Sequence, residues 1–213
     1  MDLNSYIDHT LLNPDCATDD ITRLCEEARQ HQFAAVCIPP YFVRHAAQLL
    51  QESDVKVATV IGFPMGYAST PSKIEEIKRA VDEGADEIDA VVNLCAVKSG
   101  NWNYVQNDID SMTTAAHLKG KVIKIILETS LLEEDEIRKL AEICLESEVD
   151  YVKTSTGVNG QADLQSVRLL NEVLDGKSKI KAAGGIRTRW DAEQYVDAGA
   201  QRIGSSAGPS LLN

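Results

Sequence analysis

Positive charge is in short supply in this chain. Its 213 residues hold 21 Lys and Arg against 33 Asp and Glu, a formal net charge of −12 at pH 7 and an isoelectric point near 4.8. Phosphate backbones and acidic bilayers require a basic face, so general nucleic-acid and membrane partners are excluded. Any anionic substrate must meet a locally positive pocket. Long apolar runs are also missing: none approaches the 18 residues that a membrane span needs, although 44% of the residues are hydrophobic and can fill a core. The five cysteines (Cys16, Cys25, Cys37, Cys95 and Cys144) are odd in number, scattered and without Cys-x-x-Cys spacing. A disulfide framework and structural zinc are therefore not expected, and a reducing cytoplasm fits. The opening Met1-Asp-Leu-Asn-Ser-Tyr6 has no basic segment followed by an apolar one, so no secretory leader is expected.

What the chain does have is regular alternation. Eight strand-like runs, Ile7–Leu11, Ala34–Ile38, Val57–Gly62, Glu87–Asn93, Val122–Glu128, Tyr151–Thr154, Ile180–Ala183 and Arg202–Gly204, are separated by helical periods and short breaks. Ile74, Ile77 and Val81 lie on one helix face, as do Ile137, Leu140, Ala141 and Cys144, and again Leu164, Val167, Leu170 and Leu174. Pro71 suits a first helical turn, and Ser130 with Glu133 has capping-box spacing. Eight such units use up 213 residues. The expectation is one domain over residues 1–213, a (β/α)8 TIM barrel, with an open doubly wound sheet as the alternative.

Lys153, within Asp150-Tyr-Val-Lys-Thr-Ser-Thr-Gly157, stands mid-strand where a buried apolar side chain is expected, and Lys181 repeats the pattern 28 positions on. Burying an ammonium is costly, so such a lysine is either paired or used as a neutral amine. Strand alternation puts Glu87, Asp89, Val91 and Asn93 on one face, then Lys124, Ile126 and Glu128, then Tyr151, Lys153 and Ser155, then Lys179, Lys181 and Ala183. Helices outside the barrel demand apolar partners, so these polar faces point inward and bring Asp89, Lys124, Lys153 and Lys181 together. The bland reading is a structural ion-pair network. Three lysines against so few acids speak against it: excess positive charge is relieved by a depressed pKa or a bound anion. Burial and a neighbouring ammonium bring a lysine to roughly 7–8, where it attacks carbonyls as a Schiff-base nucleophile. The iminium is its own electron sink, so no metal is required, and Asp89 is the carboxylate placed to move protons. Lys124 is either catalytic support or a charge partner for Asp89 or Glu128.

Thr154-Ser-Thr-Gly157, Ala183-Gly-Gly-Ile186 and Ile203-Gly-Ser-Ser206 close the last three strands. Glycine lets backbone approach a ligand, and late barrel turns recur as phosphate sites. The four histidines have no ligand spacing: His9 reads as a structural hydrogen-bonding residue, and His31, His45 and His117 as surface residues. Cys37 is a small core residue unless alternation turns it inward. Trp102 and Trp190 read as packing residues.

Tyr6-Ile-Asp-His-Thr-Leu-Leu12, Thr59-Val-Ile-Gly-Phe-Pro64, Gly84-Ala-Asp-Glu-Ile-Asp89, Val152-Lys-Thr-Ser-Thr-Gly157 and Lys181-Ala-Ala-Gly-Gly-Ile-Arg187 together resemble the deoxyribose-phosphate aldolases, class I Schiff-base aldolases on a (β/α)8 barrel. In order and spacing these segments cover nearly the whole chain. The resemblance implies reversible cleavage of 2-deoxyribose 5-phosphate to acetaldehyde and glyceraldehyde 3-phosphate, with no cofactor and only small-molecule sugar phosphates and aldehydes as partners. It implies Lys153 as the Schiff-base lysine, Lys181 as the lysine that lowers its pKa and Asp89 as the proton-transfer carboxylate. Gly184, Gly185, Ser205 and Ser206 match the phosphate-holding turns; Asp8 and Thr10 lie where the first strand reaches substrate, and Lys124 and Thr154 join the substrate-binding set. Pro39-Pro40 and Asn93-Leu-Cys95 depart from the commoner family forms and point to altered substrate shape selectivity. The chain ends at Asn213 without the tyrosine-terminated tail of some members, which bears on proton-transfer efficiency. Another phosphate-binding barrel, aldolase or isomerase, and a non-catalytic sugar-phosphate binder stay open, as does a homo-oligomer.

Overall fold

The eight strands of the computed structural model, which describes residues 1–213, hydrogen-bond in sequence order and close on themselves. They are β1 (Ile7–Thr10), β2 (Ala35–Ile38), β3 (Lys56–Ile61), β4 (Glu87–Val91), β5 (Val122–Ile126), β6 (Tyr151–Lys153), β7 (Lys179–Ala183) and β8 (Arg202–Ser205). All pairs are parallel, and β8 returns to β1 with Asp8 opposite Gly204. The helices are α1 (Thr18–His31), α2 (Val43–Leu50), α3 (Thr70–Asp82), α4 (Leu94–Lys98), α5 (Trp102–His117), α6 (Glu134–Glu146), α7 (Leu164–Leu174) and α8 (Arg189–Asp197). Two of them follow β4. None follows β8, where a 3-10 turn over Gly208–Leu212 stands instead. The closed barrel is the expected fold, and the open sheet is excluded.

The outer core lies between strands and helices. Ile88, Ile123, Ile125, Val152 and Ile203 point outward, fully buried against helix faces that include Ile77, Ile109 and Leu140. Each such side chain contributes roughly 1.5–3 kcal/mol, and truncating one to alanine costs about 2–5 kcal/mol. Lys73 on α3 is also fully buried in this layer, donating to Val91 O at 2.9 Å and to Asp108 of α5 at 2.7 Å.

The inward-facing residues divide into two halves. On β2 and β3 they are Ala35, Cys37, Ala58 and Val60, a small apolar cluster separate from the outer core. From β4 round to β1 they include the charged side chains Glu87, Asp89, Lys124, Lys153, Lys181, Arg202 and Asp8. Register sets neighbours among these: Asp89 pairs with Lys124, Lys153 with Lys181, and Lys181 with Arg202. Gly204 makes room, since a Cβ there would lie 3.2 Å from Lys181 Cε.

Several local expectations change. β4 and β5 stop at Val91 and Ile126 rather than at Asn93 and Glu128. Asn93 instead caps α4, its side chain accepting from Ala96 N at 3.1 Å, while Glu128 turns the chain through a left-handed φ of 61°. That turn leads into a 3-10 segment, Thr129–Leu131, so α6 starts later, with Glu133 N donating to Glu136 at 2.8 Å rather than with a Ser130 cap. Trp190 is 67% exposed and is not a packing residue, whereas Trp102 packs against the core beneath Lys139.

Candidate active site

Six ionised side chains form a closed ring of alternating sign inside the barrel. Arg202 Nη1 donates to Asp8 Oδ1 at 2.6 Å, and Asp8 Oδ2 accepts from Lys181. Lys181 donates to Asp89 Oδ2 at 2.7 Å, Asp89 Oδ1 accepts from Lys124 at 2.7 Å, and Lys124 lies 2.6 Å from Glu87. Glu87 accepts from both Arg202 terminal nitrogens at 3.2 Å, which closes the circuit. Removing six charges from water is costly. A circuit in which each charge lies between two of opposite sign offsets that desolvation better than isolated pairs do.

The titration of the ring follows from this arrangement. Burial pushes the Asp8 and Asp89 carboxyls up, but the surrounding lysines, with Arg202 at Asp8, outweigh it and hold both below the ordinary carboxylate range. Burial pulls Lys181 and Lys124 down, yet Asp8 and Asp89 at the first, and Asp89 and Glu87 at the second, raise both above the ordinary lysine value. Lys181, the lysine expected to act on Lys153 by its charge, is held firmly cationic by Asp8 and Asp89. The ring is neutral as a whole.

Lys153 is the seventh charge. It donates to Asp89 Oδ2 at 2.8 Å, the oxygen that Lys181 also uses, and it has no carboxylate of its own in the ring. Within the barrel four cations face three carboxylates, and Lys153 is the one left outside the neutral ring. Among the three interior lysines only Lys153 retains any side-chain exposure, 2% against 0%. It stands at the C-terminal end of its strand, where barrel active sites form.

Above it, Glu128 is buried and its carboxylate accepts from the Thr156 amide at 3.2 Å and from the Thr156 hydroxyl. Burial raises its pKa although the Thr156 bonds and nearby Lys153 pull it down. The clamp holds the β6 loop so that a Cβ on Gly157 would meet Gly184 Cα at 3.6 Å. Gly184 and Gly185 take φ of 100° and 81°, and a Cβ on Gly184 would come within 3.0 Å of Gly160 O and Gln161 Cα. Only glycine fits that crossing of two turns. The amides of Gly184, Gly185 and Ser206 donate to no acceptor in the chain, so three donors remain free at the ends of β7 and β8.

Other expected site residues are placed differently. Asp8 lies in the ring with both oxygens occupied, and the fully buried Lys124 lies across the ring from it, bonded to Asp89 and Glu87 and not to Glu128. Neither is positioned to touch substrate. The Thr154 hydroxyl bridges Ala183 N and O at 3.1 and 3.2 Å, tying β6 to β7. The Ser205 hydroxyl donates to Ile186 O at 2.7 Å and accepts from Ala207 N at 3.0 Å, so it shapes its turn. Thr10 donates to Asp8 O at 2.8 Å, and with Ser206 it lines a cavity of about 360 Å³. His9 pairs with Glu27 at 2.7 Å, a structural bond, and His45 and His117 bond Thr22 and Asp150 near the surface. Cys37 does face inward, 3.9 Å from Asp89.

Arg202 was absent from the expected set. Alternation with Gly204 was its signal, but a single arginine at a strand start carries no mark of what lies across the barrel. Pro39 and Pro40 line a mostly apolar cavity of about 640 Å³ with Leu12, Val60 and Phe63 at the mouth of the apolar half. A further cavity, of about 930 Å³, opens at the opposite end and reaches Glu87 and Arg202. No cluster of three or more His, Cys, Asp or Glu side chains has the arrangement of a metal site, and no helix is long and apolar enough to cross a membrane.

Residues 3–211 match the family described as DeoC/LacD family aldolase. A deoxyribose-phosphate aldolase of Desulfitobacterium hafniense is 50% identical over 213 residues, covering 100% of this chain and 98% of that protein. One from Thermococcus gammatolerans is 47% identical over 215 residues, covering 100% and 96%. The deoxyribose phosphate aldolase of Aeropyrum pernix, whose tetrameric structure is described as unique, superposes with a TM-score of 0.92 at 33% identity, covering 99% of this chain and 89% of that one.

Proposed function

Because the chain belongs to the DeoC/LacD family of aldolases, we propose that it reversibly cleaves 2-deoxy-D-ribose 5-phosphate to acetaldehyde and D-glyceraldehyde 3-phosphate through an imine on Lys153. It is an aldolase and therefore a lyase. The observation that carries the imine reading is the charge count: Lys153 is the one interior cation outside a neutral ring, and the one interior lysine that retains any exposure.

The neutral Lys153 amine attacks C1 of the open-chain aldehyde, and loss of water from the carbinolamine gives the protonated imine. The C2–C3 bond then breaks, its electrons flowing into the iminium as the C3 hydroxyl gives up its proton. Glyceraldehyde 3-phosphate leaves and an enamine remains. Protonation at C2 and hydrolysis release acetaldehyde and return Lys153. Lys181 stays protonated throughout and makes a second positive charge at Asp89 unfavourable. Asp89, already bonded to Lys153, passes protons through water; held below the ordinary carboxylate range, it carries each proton only briefly. The iminium supplies the electron sink, so neither metal nor cofactor is needed.

The free amides of Gly184, Gly185 and Ser206 hold the phosphate, and the Ser205 hydroxyl keeps the turn in shape. The enzyme works in the cytoplasm in deoxyribonucleoside catabolism, with small molecules as its substrates. It forms a homo-oligomer, in keeping with the tetrameric Aeropyrum pernix relative. The deciding experiment is incubation with deoxyribose 5-phosphate followed by an acetaldehyde assay; acetaldehyde release is expected, and its absence would overturn the reading.

A further inference from the structure

Nothing in the imine chemistry requires an arginine at the far end of the barrel. Arg202 opens β8 at the N-terminal end, and its side chain is 11% exposed to the cavity of about 930 Å³. It nevertheless hydrogen-bonds both Asp8 and Glu87, whereas Lys124, 2.6 Å from Glu87, stays 3.8 Å from Asp8. Asp8 in turn holds Lys181, and Glu87 holds Lys124, the two cations that occupy Asp89 beside Lys153. From this closed circuit we propose that Arg202 is a positioning residue that sets, from the opposite end of the barrel, how readily Lys153 gives up its proton.

The groups that act on the two ends are all identifiable. Lys153 faces Asp89 from β4, Lys181 from β7, Cys37 from β2 and Glu128 just past β5. Arg202 faces Asp8 from β1, Glu87 from β4 and the Tyr151 ring from β6, with Lys179 over the same ring. With Arg202 present the ring is neutral and Lys153 is the surplus charge. Without it the ring is one unit negative, and the Lys153 proton becomes the charge that balances it. Low-dielectric surroundings let this imbalance act over several bonds of the circuit.

The proposal rests on Lys153 being the imine-forming amine, and the test separates the two. Three full-length variants, Arg202→Met, Arg202→Lys and Glu87→Gln, are compared by the pH dependence of kcat/KM and by borohydride trapping of the substrate imine. Removing the cation should move the acidic limb to higher pH by on the order of half to one pH unit, and Arg202→Lys should return it close to the unaltered position. Glu87→Gln removes an anion and should move the limb the other way. A merely structural disturbance would lower activity in both variants without opposite shifts. Should Arg202→Met not fold, the downward shift of Glu87→Gln against the near-unaltered Arg202→Lys still decides. Limbs that stay fixed, or move in the same direction, overturn the role of Arg202 while imine trapping at Lys153 persists; loss of trapping at Lys153 in the unaltered enzyme overturns the underlying imine reading instead.

Discussion

Lys153 and Lys181 donate to one and the same oxygen, Asp89 Oδ2, at 2.8 and 2.7 Å. Two ammonium groups on a single acceptor oxygen are held closer than their mutual repulsion favours. Lys181 has a second carboxylate, Asp8, which raises its pKa, whereas Lys153 has only the shared oxygen.

Peptide mapping after borohydride reduction with deoxyribose 5-phosphate is expected to place the added mass on Lys153 alone. Lys153→Leu should lower kcat/KM by at least about a thousandfold, the equivalent of roughly 4 kcal/mol. A chelator should leave the unaltered enzyme at full rate. An adduct on Lys124 or Lys181, or activity lost to the chelator and restored by a divalent ion, would contradict the scheme.

Lys181→Leu should reduce kcat/KM at neutral pH by at least about a hundredfold and move its acidic limb upward by about one pH unit or more. The cause is electrostatic, because Asp8 and Asp89 would then face one cation fewer. Leaving two buried carboxylates short of a partner should also cost about 3–5 kcal/mol of stability, measured by chemical denaturation. An unmoved acidic limb in a folded variant would show that Lys181 only packs.

Much of this site was legible in the sequence, because period-2 alternation alone puts Asp89, Lys124, Lys153 and Lys181 on inward faces of consecutive strands. The ring itself was not. Asp8 and Arg202 are 194 residues apart, and their contact depends on the stagger with which β8 meets β1, which no local pattern encodes. Glu128 was hidden for a different reason: it looks like the last residue of the fifth strand, while its left-handed backbone and its hold on Thr156 arise only once two loops cross. Thr154 and Ser205 sat in turns that looked like ligand sites, yet a hydroxyl within reach of neighbouring backbone satisfies that backbone first.

Phosphate recognition can be tested with the sugar that lacks it. Charge-assisted bonds from the amides of Gly184, Gly185 and Ser206 contribute about 1.5–3 kcal/mol each, and remote binding energy of this kind is expressed in the transition state. Unphosphorylated 2-deoxyribose should therefore lose at least about tenfold in kcat/KM, and Ser206→Glu should penalise the phosphorylated sugar selectively. Equal values for the two sugars would make these turns structural.

The ring should also shape stability against pH. Asp8 and Asp89 fall below their ordinary value of 3.8 on folding, so their contribution is complete above that value and lost as acid protonates them in the folded state. Lys181 rises above its ordinary 10.5, so its contribution is complete below that value and lost only in stronger base. Thermal melts should accordingly show no loss of Tm from the ring between about pH 4 and 10, with a decline as pH drops below about 4. A steep change in Tm near neutrality traced to Asp8→Asn or Asp89→Asn would contradict this.

The apolar cluster on β2 and β3 borders the charged side, with Cys37 3.9 Å from Asp89 and Ala35, Ala58 and Val60 opposite Asp8, Glu87 and Asp89 in the strand register. The interior thus amounts to two compartments of opposite character. Val60 lines the apolar cavity at the mouth and carries no charge, so volume changed there reshapes that space while the ion pairs of the reactive amine keep their partners. Inheritance of the reaction and divergence of its scope are thereby assigned to different strands of one small barrel.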